Sequence, residues 1–262
     1  MDSSGKNINM KISIITVTYN SAATIRDTIE SVLTQVHPQI EHIVIDGASQ
    51  DATPEIVRSY GARIARFISE PDRGIYDAMN KGLALATGDV VGFLNSDDML
   101  FDPGSIAAIA AGFHSADVDA VYGDIVMVDP VQLLLVRRYW RPGIFQSGAC
   151  ARGWMAPHPT LYVRRVLLQS SGGFNLNYRL QSDFDLELRL FECMKIRADY
   201  LPRTLVRMRM GGATTGSLRN ILRGNLEAAK SAQRNGFPGG WRFIASKFAS
   251  RLPQYWVRPG KS

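Results

Sequence analysis

The chain has 262 residues, of which 45% are hydrophobic and 21% charged, values ordinary for a soluble globular protein. No run approaches the roughly 18 consecutive apolar residues of a spanning helix, and the polar start lacks an apolar signal core, so neither a transmembrane span nor export is expected. The net charge of +6 hides a division: residues 1–130 carry 8 basic and 18 acidic groups, residues 131–262 carry 22 basic and 6 acidic groups. That asymmetry points to an anionic partner for the second half, and to a cation for the first half if it handles phosphates.

Residues 1–10 read as a disordered lead-in. Lys11 to Asn20 is rich in β-branched residues and predicts a first strand, with Asn20 or Ser21 capping the helix that follows. Ile25, Ile29, Val32 and Leu33 give that helix one apolar face. Glu41 to Asp46 predicts a second strand, ending in the acidic turn Asp46-Gly47-Ala48-Ser49-Gln50-Asp51. Thr53-Pro54 opens another helix, with proline in the first turn, where its missing N–H costs nothing. Ile64 to Ile68 reads as a third strand leading into Glu70-Pro71-Asp72-Arg73-Gly74 and a helix through Tyr76, Met79 and Leu83. Val90 to Leu94 is a buried-strand run that stops abruptly at Asn95-Ser96-Asp97-Asp98. Strands alternating with helices imply an α/β, Rossmann-like, doubly wound and mostly parallel sheet.

Beyond Asp98 a helix is expected near Ser105–Phe113, a strand at Ala120–Tyr122, and a hairpin or strand pair over 124–141, with Asp129-Pro130 as a turn candidate. Gly143 to Pro159 is marked by glycine and proline, contains Trp154 and Met155, and reads as a loop over the site. Asp183 to Met194 predicts an amphipathic helix with Phe184, Leu188 and Phe191 on one side. A basic helical tail follows from about Asn220, broken at Gly236-Phe237-Pro238-Gly239-Gly240. Cys150 and Cys193 lie far apart without metal-site spacing and read as free thiols.

Two adjacent carboxylates at a strand tip repel each other unless a cation lies between them. Asp97 and Asp98 therefore suggest a Mg²⁺ or Mn²⁺ ion holding a phosphate; the alternative is a solvated turn. No G-x-G-x-x-G follows the first strand and no G-x-x-x-x-G-K-[ST] occurs, so the usual phosphate cradles are missing. Asp46 either accepts hydrogen bonds from a base or sugar or caps a helix.

Val17-Thr18-Tyr19-Asn20, Asp46-Gly47-Ala48-Ser49-Gln50-Asp51-Ala52-Thr53, Asp72-Arg73-Gly74-Ile75-Tyr76-Asp77-Ala78-Met79-Asn80-Lys81-Gly82 and Asn95-Ser96-Asp97-Asp98, in this order and spacing, resemble a family 2 glycosyltransferase of the bacterial surface-polysaccharide type. The likeness continues more loosely through Pro157-His158-Pro159-Thr160 and Gly172-Gly173-Phe174 to Ser182-Asp183-Phe184-Asp185. It implies a GT-A domain over 11–215, with a donor half at 11–100 and an acceptor half at 101–215. The implied activity is metal-dependent, inverting transfer of a sugar from a nucleotide-sugar donor, most often UDP-linked. The implied acceptor is a saccharide or lipid-linked hydroxyl, in surface polysaccharide or glycolipid synthesis.

By that resemblance Thr18, Tyr19, Asn20 and Asp46 hold the nucleobase and ribose, and Asp72, Arg73, Lys81 and Asn95 lie along the donor. Asp97 and Asp98 stand at the D-x-D signature, Asp98 being the better candidate for a direct metal ligand. Asp183 aligns with the family's general base, although Ser182 stands where Glu is common. Asp185 is its rival, and both carboxylates also suit a helix N-terminus. His158, fixed between prolines, contacts the diphosphate, the metal or the acceptor, or is structural; Trp154 in the same loop is a further acceptor or diphosphate contact. Arg189 reads as an ion-pair partner.

Residues 216–262 form the basic extension. From Arg203 to Lys261 there are 12 basic residues and one acidic, Glu227, interleaved with Trp241, Phe243, Phe248, Tyr255 and Trp256. This suits a membrane interface, or a solvated face whose rings pack on the domain, with single-stranded nucleic acid the least favoured reading. The expectation is a cytoplasmic enzyme held peripherally on the inner face of the plasma membrane. The alternative is an inactive binding protein on the same fold that contacts membrane or nucleic acid through the tail; intact Asp97, Asp98 and Asp183 argue for the enzyme.

Overall fold

The run Ile12–Thr18 forms β1, buried along its whole length, as a central parallel strand must be. Ile12, Ile14 and Ile15 are fully buried, each stabilising the fold by about 1.5–3 kcal/mol. The computed structural model describes residues 9–211, 218–240 and 243–246. Residues 1–8 of the expected lead-in, and Trp241, Arg242, Lys247, Phe248, Arg251, Tyr255 and Trp256 of the tail, lie outside the described residues.

Strands β2 (Ile40–Asp46), β3 (Arg66–Ser69) and β4 (Val90–Phe93) extend the sheet in parallel around β1, with Ile12 opposite both Ile40 and Val90. Helices α1 (Ile25–Leu33), α2 (Thr53–Arg58) and α3 (Ile75–Leu85) are the crossovers. Ile25, Ile29 and Val32 of α1 are buried, as their spacing predicts. All these strands carry their carboxyl ends to one edge, where ligands of open α/β sheets bind.

The second half turns the sheet mixed. After β5 (Met99–Leu100) and α4 (Ser105–Gly112) come β6 (Ala120–Val128), β7 (Val136–Trp140), β8 (Tyr162–Arg164) and β9 (Ala198–Arg209). The nine-stranded order is β3-β2-β1-β4-β8-β6-β9-β5, with β7 added on β6. Strand β8 runs antiparallel to β4, and β6 runs parallel to β9. Gly92 on β4 lies under the Tyr162 ring, where a Cβ would come within 2.3 Å of it.

The remaining helices are α5 (Arg165–Ser170), α6 (Ser182–Leu188) and α7 (Leu218–Arg234). The pattern over 183–194 predicts one continuous helix; the structure ends α6 at Leu188 and follows it with a π turn, Arg189–Cys193. That turn aims Glu192 inward, where it accepts the Gly148 and Cys150 backbone N–H groups at 2.9 and 3.0 Å. Small buried residues of α7, among them Ala228, Ser231 and Ala232, pack it on the domain. Both cysteines are free, Cys150 buried and Cys193 exposed. Among the described residues no helix is long and apolar enough to cross a membrane.

Candidate active site

The strand tips of β1, β2 and β4 open into a cleft of about 1080 Å³, of the size that small-molecule sites occupy. Thr18, Tyr19 and Asn20 line it from β1, Gly47 from β2, Asp72 and Gly74 from the β3–α3 turn, and Asn95 and Asp97 from β4. The opposite wall comes from the second half: Met127, Arg138, Met208, Arg209, Met210 and Ile221.

Side chains tie these tips together. Asn20, held at φ 49°, accepts the Gln50 N–H through Oδ1 at 2.9 Å and donates its own N–H to Ser49 Oγ at 2.7 Å. Ser21 and Ser96 hydroxyls meet at 2.9 Å, joining β1 to β4. Tyr19 is 61% exposed and its ring borders Gly47. Asp72 accepts the Gly74 N–H through Oδ1 at 2.8 Å, while its Oδ2 lies 2.5 Å from where a Cβ on Gly47 would stand. An exposed ring, a bare glycine and a fixed carboxylate thus form one wall, suited to a planar base that donates a hydrogen bond. The Thr18 hydroxyl is buried at this wall without a partner among the described residues.

Three expected donor contacts face elsewhere. Asp46 is fully buried, and its carboxylate is taken up by the Ser49 N–H and hydroxyl and by Ser69 Oγ at 2.6 Å, so it braces the β2 turn. Arg73 leans back along α3 to pair with Asp77 at 3.0 Å. Lys81 pairs with Glu70 at 2.8 Å and donates to the Pro71 carbonyl. None of the three lines the cleft.

Of the two carboxylates at the β4 tip, Asp97 lines the cleft and Asp98 is completely buried behind it, which reverses the expectation that Asp98 is the better metal ligand. Adjacent residues of a turn point apart, and here the Thr28 hydroxyl donates to the Asp98 carbonyl at 2.7 Å and fixes which side faces in. Burial pushes the Asp97 carboxyl up, partly offset by the Arg209 guanidinium, and burial together with the Asp97 charge holds Asp98 well above the usual carboxylate range. Oδ1 of both Asn95 and Asp98 is buried without a partner among the described residues. Among the described residues no group of three or more His, Cys, Asp or Glu side chains is arranged to hold a metal ion by itself. An ion of the Mg²⁺ type completed by substrate phosphates needs only one or two carboxylates, and this pair of hard oxygen donors fits that need.

Arg209 had no motif to announce it. From β9 it donates to the Asp97 carbonyl at 2.8 Å and to the Asp27 carboxylate, so a buried guanidinium sits beside the paired acids. The sequence signal was weak: Arg209 is one of two arginines, with Arg207, set among the apolar residues from Leu205 to Met210.

Asp183 opens α6, half-buried. Its Oδ1 accepts the Tyr76 hydroxyl at 3.1 Å and the Phe184 N–H at 2.9 Å; its Oδ2 takes no hydrogen bond among the described residues. Tyr76 lies on α3 between Ile75 and Ala78, both of which line the cleft. Burial, then the Asp183 charge, hold the Tyr76 hydroxyl and the Glu187 carboxyl well above their ordinary values. Burial pushes His158 down, although Asp183 pulls it the other way. Burial thus opposes charge on each of the groups around this carboxylate. Asp185 faces away: Arg189 pairs with it at 2.9 Å, and Ser231 of α7 donates to it at 2.6 Å.

The expected loop over the site packs against α6 instead, and none of its residues lines the cleft. Glu187 accepts the Ala156 N–H at 2.7 Å, complementing the hold of Glu192 on this loop. Trp154 is a packing residue: its indole N–H donates to the Pro142 carbonyl at 2.8 Å, and its ring sits among Tyr122, Phe145 and Phe191. That corrects its expected contact with acceptor or diphosphate. His158 stacks on Phe93 at 5.6 Å and meets the edge of Phe174, inside the domain next to Asp183 rather than on the cleft wall.

The model of the family described as Glycosyl transferase family 2 matches residues 13–167. A PGL/p-HBAD biosynthesis glycosyltransferase of Mycobacterium bovis (strain BCG / Pasteur 1173P2) is 32% identical over 184 residues, 68% of this chain and 69% of the relative. Among solved structures, S. aureus TarS 1-349 in complex with UDP-GlcNAc superposes with a TM-score of 0.65 at 19% identity, over 94% of this chain and 73% of that one. The mannosyltransferase PcManGT from Pyrobaculum calidifontis, in complex with GDP-Man and Mn²⁺, gives a TM-score of 0.65 at 22% identity, over 94% and 71%. At those identities the two structures establish the fold, a GT-A glycosyltransferase architecture.

Proposed function

The chain belongs to glycosyl transferase family 2, and we propose that its cleft transfers a sugar, with inversion, from a nucleoside diphosphate to an acceptor hydroxyl. The observation that carries this reading is the pairing of a base-sized wall and an acidic strand tip with one half-buried carboxylate, Asp183, reached through Tyr76. The nucleobase lies against Tyr19 and Gly47, donating to Asp72. Thr18 and Asn20 bound the ribose, and Asn95 the sugar. The diphosphate lies between Asp97 and Arg209. When bound, a Mg²⁺ or Mn²⁺ ion at Asp97, backed by Asp98, neutralises charge on the leaving diphosphate.

The acceptor oxygen attacks the anomeric carbon as the bond to the diphosphate breaks and its electron pair leaves with the phosphate oxygen. Asp183 takes the acceptor proton on Oδ2, the oxygen left open by Tyr76 and Phe184. His158 and Glu187 shape the wall behind it. The basic half supplies guanidinium groups where phosphate charge develops. A saccharide or lipid-linked acceptor, surface polysaccharide or glycolipid synthesis, and a cytoplasmic site of action at the inner membrane face follow from the family resemblance and from the basic extension over 216–262. The complexes of TarS with UDP-GlcNAc and of PcManGT with GDP-Man support a nucleotide-sugar donor.

A thermal-shift screen of UDP- and GDP-sugars with and without Mn²⁺ identifies the donor, and Asp183→Asn then separates binding from chemistry. The variant should bind donor within a few-fold of wild type by calorimetry and transfer on the order of 10²–10⁴ more slowly. Wild-type transfer by Asp183→Asn would remove Asp183 from the role of base, and failure of the wild-type chain to bind any nucleotide sugar would remove the enzyme reading.

A further inference from the structure

Hydrophobic side chains at the tip of the β6–β7 hairpin are turned out to solvent. Val131 is 86% and Leu134 87% exposed, with Leu135 beside them. Displaying such side chains forgoes the burial energy that the Val and Leu residues of the core gain. The tip adjoins the cleft. Met127 and Arg138 of the same hairpin line the cleft, and Met210, half-exposed, donates its N–H to the Val128 carbonyl at 3.0 Å. Ile221 continues that apolar mouth onto α7. The outer face of α7 then shows Leu222 and Leu226, 66% and 64% exposed, among Arg219, Arg223 and Lys230. Its inner face of Ala228, Ala229 and Ala232 is already covered.

Charge selects the partner. The hairpin carries Arg137, Arg138 and Arg141 against Asp129 and a buried Asp124, which the Tyr139 and Tyr200 hydroxyls hold at 2.6 Å each. On α7, Arg219, Arg223, Lys230 and Arg234 face one acid, Glu227. Apolar tips ringed by cations suit an anionic bilayer, in which the leucines enter the headgroup boundary and the cations meet lipid phosphate. Single-stranded nucleic acid needs stacking rings, and among the described residues this face exposes aliphatic side chains and no large aromatic one. A second copy of the chain is a poor fit, since three small side chains at the tip fall well short of the roughly 800 Å² per partner of a stable interface.

We propose that the β6–β7 hairpin tip and the outer face of α7 form a membrane-seating surface that sets the mouth of the cleft against an anionic bilayer. The acceptor is then an amphiphile whose apolar part stays in the bilayer while its hydroxyl passes Met127, Met208 and Met210 to the cleft. This last clause rests on the glycosyltransferase reading; the seating itself does not.

The full chain is sedimented with phosphatidylcholine vesicles containing 30 mol% phosphatidylglycerol (about the anionic fraction needed for a marked surface potential) and with pure phosphatidylcholine. Binding should require the anionic lipid and weaken with salt. Val131→Asp/Leu134→Asp should bind about tenfold or more weakly, with an unchanged melting temperature and unchanged hydrolysis of the nucleotide sugar. Leu134→Trp should show a blue shift of its emission on adding vesicles. The seating is overturned if the chain ignores anionic vesicles at low salt. It is equally overturned if the double Asp variant binds like wild type, or if gel filtration shows a dimer that this variant dissolves, which would make the tip a contact between copies. Vesicle binding without any donor binding would leave the surface standing and remove the enzyme reading instead.

Discussion

Replacing Gly47 by alanine tests the nucleobase wall with a single methyl group. The backbone there has an ordinary φ, so alanine adds no conformational strain. The new Cβ would stand 2.5 Å from Asp72 Oδ2, against an ordinary contact of 3.4 Å or more. Asp72 must therefore yield by about 0.9 Å, the difference of those two distances. Its freedom is small, because Oδ1 is held by the Gly74 N–H at 2.8 Å. Moving a side-chain end costs the fold little, and the melting temperature should change by no more than a degree or two. A hydrogen bond to a charged acceptor is worth about 1.5–3 kcal/mol, so losing its geometry should weaken nucleotide binding on the order of 10- to 150-fold. Calorimetry with the nucleotide alone reads this directly, and KM for the donor should rise by a similar factor with kcat little changed. Unaltered nucleotide affinity in a well-folded Gly47→Ala protein would place the base elsewhere and break the argument from Asp72.

Asp97→Asn should bind Mn²⁺ in the presence of nucleoside diphosphate far more weakly than wild type, followed by electron paramagnetic resonance of the free ion, and lose turnover on the order of 10²–10³; retained Mn²⁺ binding would hand the ion to Asp98. At the far side of the sheet, burial works against the Glu41 charge, but hydrogen bonds from Ser13, Thr87 and Lys11 outweigh it and pull the carboxyl down to about 2 from 4.5. A depressed folded-state pKa contributes stability above the unfolded value that is lost as pH falls from about 4.5 towards 2. Discounted for solvent screening, that contribution is about 2 kcal/mol. Glu41→Gln should therefore be less stable than wild type in urea at pH 7, with the gap narrowing as pH falls below 4.5 towards 2; a gap that is constant with pH would refute the linkage.

The first hundred residues were legible because a strand buried on both faces is rich in β-branched apolar residues, as β1, β2 and β4 are, each followed by turn formers at its tip. Strand β9 was not, since Pro202 and Arg203 interrupt it and proline argues against a central strand. The structure absorbs both residues as a register shift, with Gly123 opposite Leu201 and Asp124 opposite Thr204. Strand β8 is only three residues long, too short for any alternation to register. Within the site, the motifs locate turns but not the direction of each side chain. Asp97 and Asp98 differ by one residue and face cleft and core respectively. Arg73 and Lys81 sit in a matching motif, yet each has an acid within one helical turn or across the preceding loop, and the nearer charge takes it. Trp154 shows the same limit, because a glycine-rich loop can be pinned from below as well as swing above a site. What pins it is a pair of glutamates, Glu187 on α6 and Glu192, the second in a π turn that hydrophobic spacing does not encode.

The charge division between the halves of the chain has an internal meaning as well as an external one. Arg209–Asp27, Arg203–Asp102, Arg197–Asp117, Arg141–Asp124 and Arg137–Asp129 each join a cation of the basic half to an acid of the other half. Most of these pairs are exposed and contribute little to stability, but Arg209 is buried and reaches the turn that carries Asp97. There the basic half completes the acidic one, placing a fixed positive group beside carboxylates that burial has left reluctant to ionise. Pairing across the halves uses cations on or next to β7 and β9, where acids of the first half lie within reach. On α7 the ion pair lies within the helix, Arg223 with Glu227 at 3.0 Å, while Arg219 and Lys230 are exposed. Several cations therefore stand on the helix beside the cleft mouth, next to the exposed leucines. A surface built in that way attracts an anionic layer by charge and holds it by apolar contact, two forces that salt separates: raising ionic strength should strip the first and leave the second.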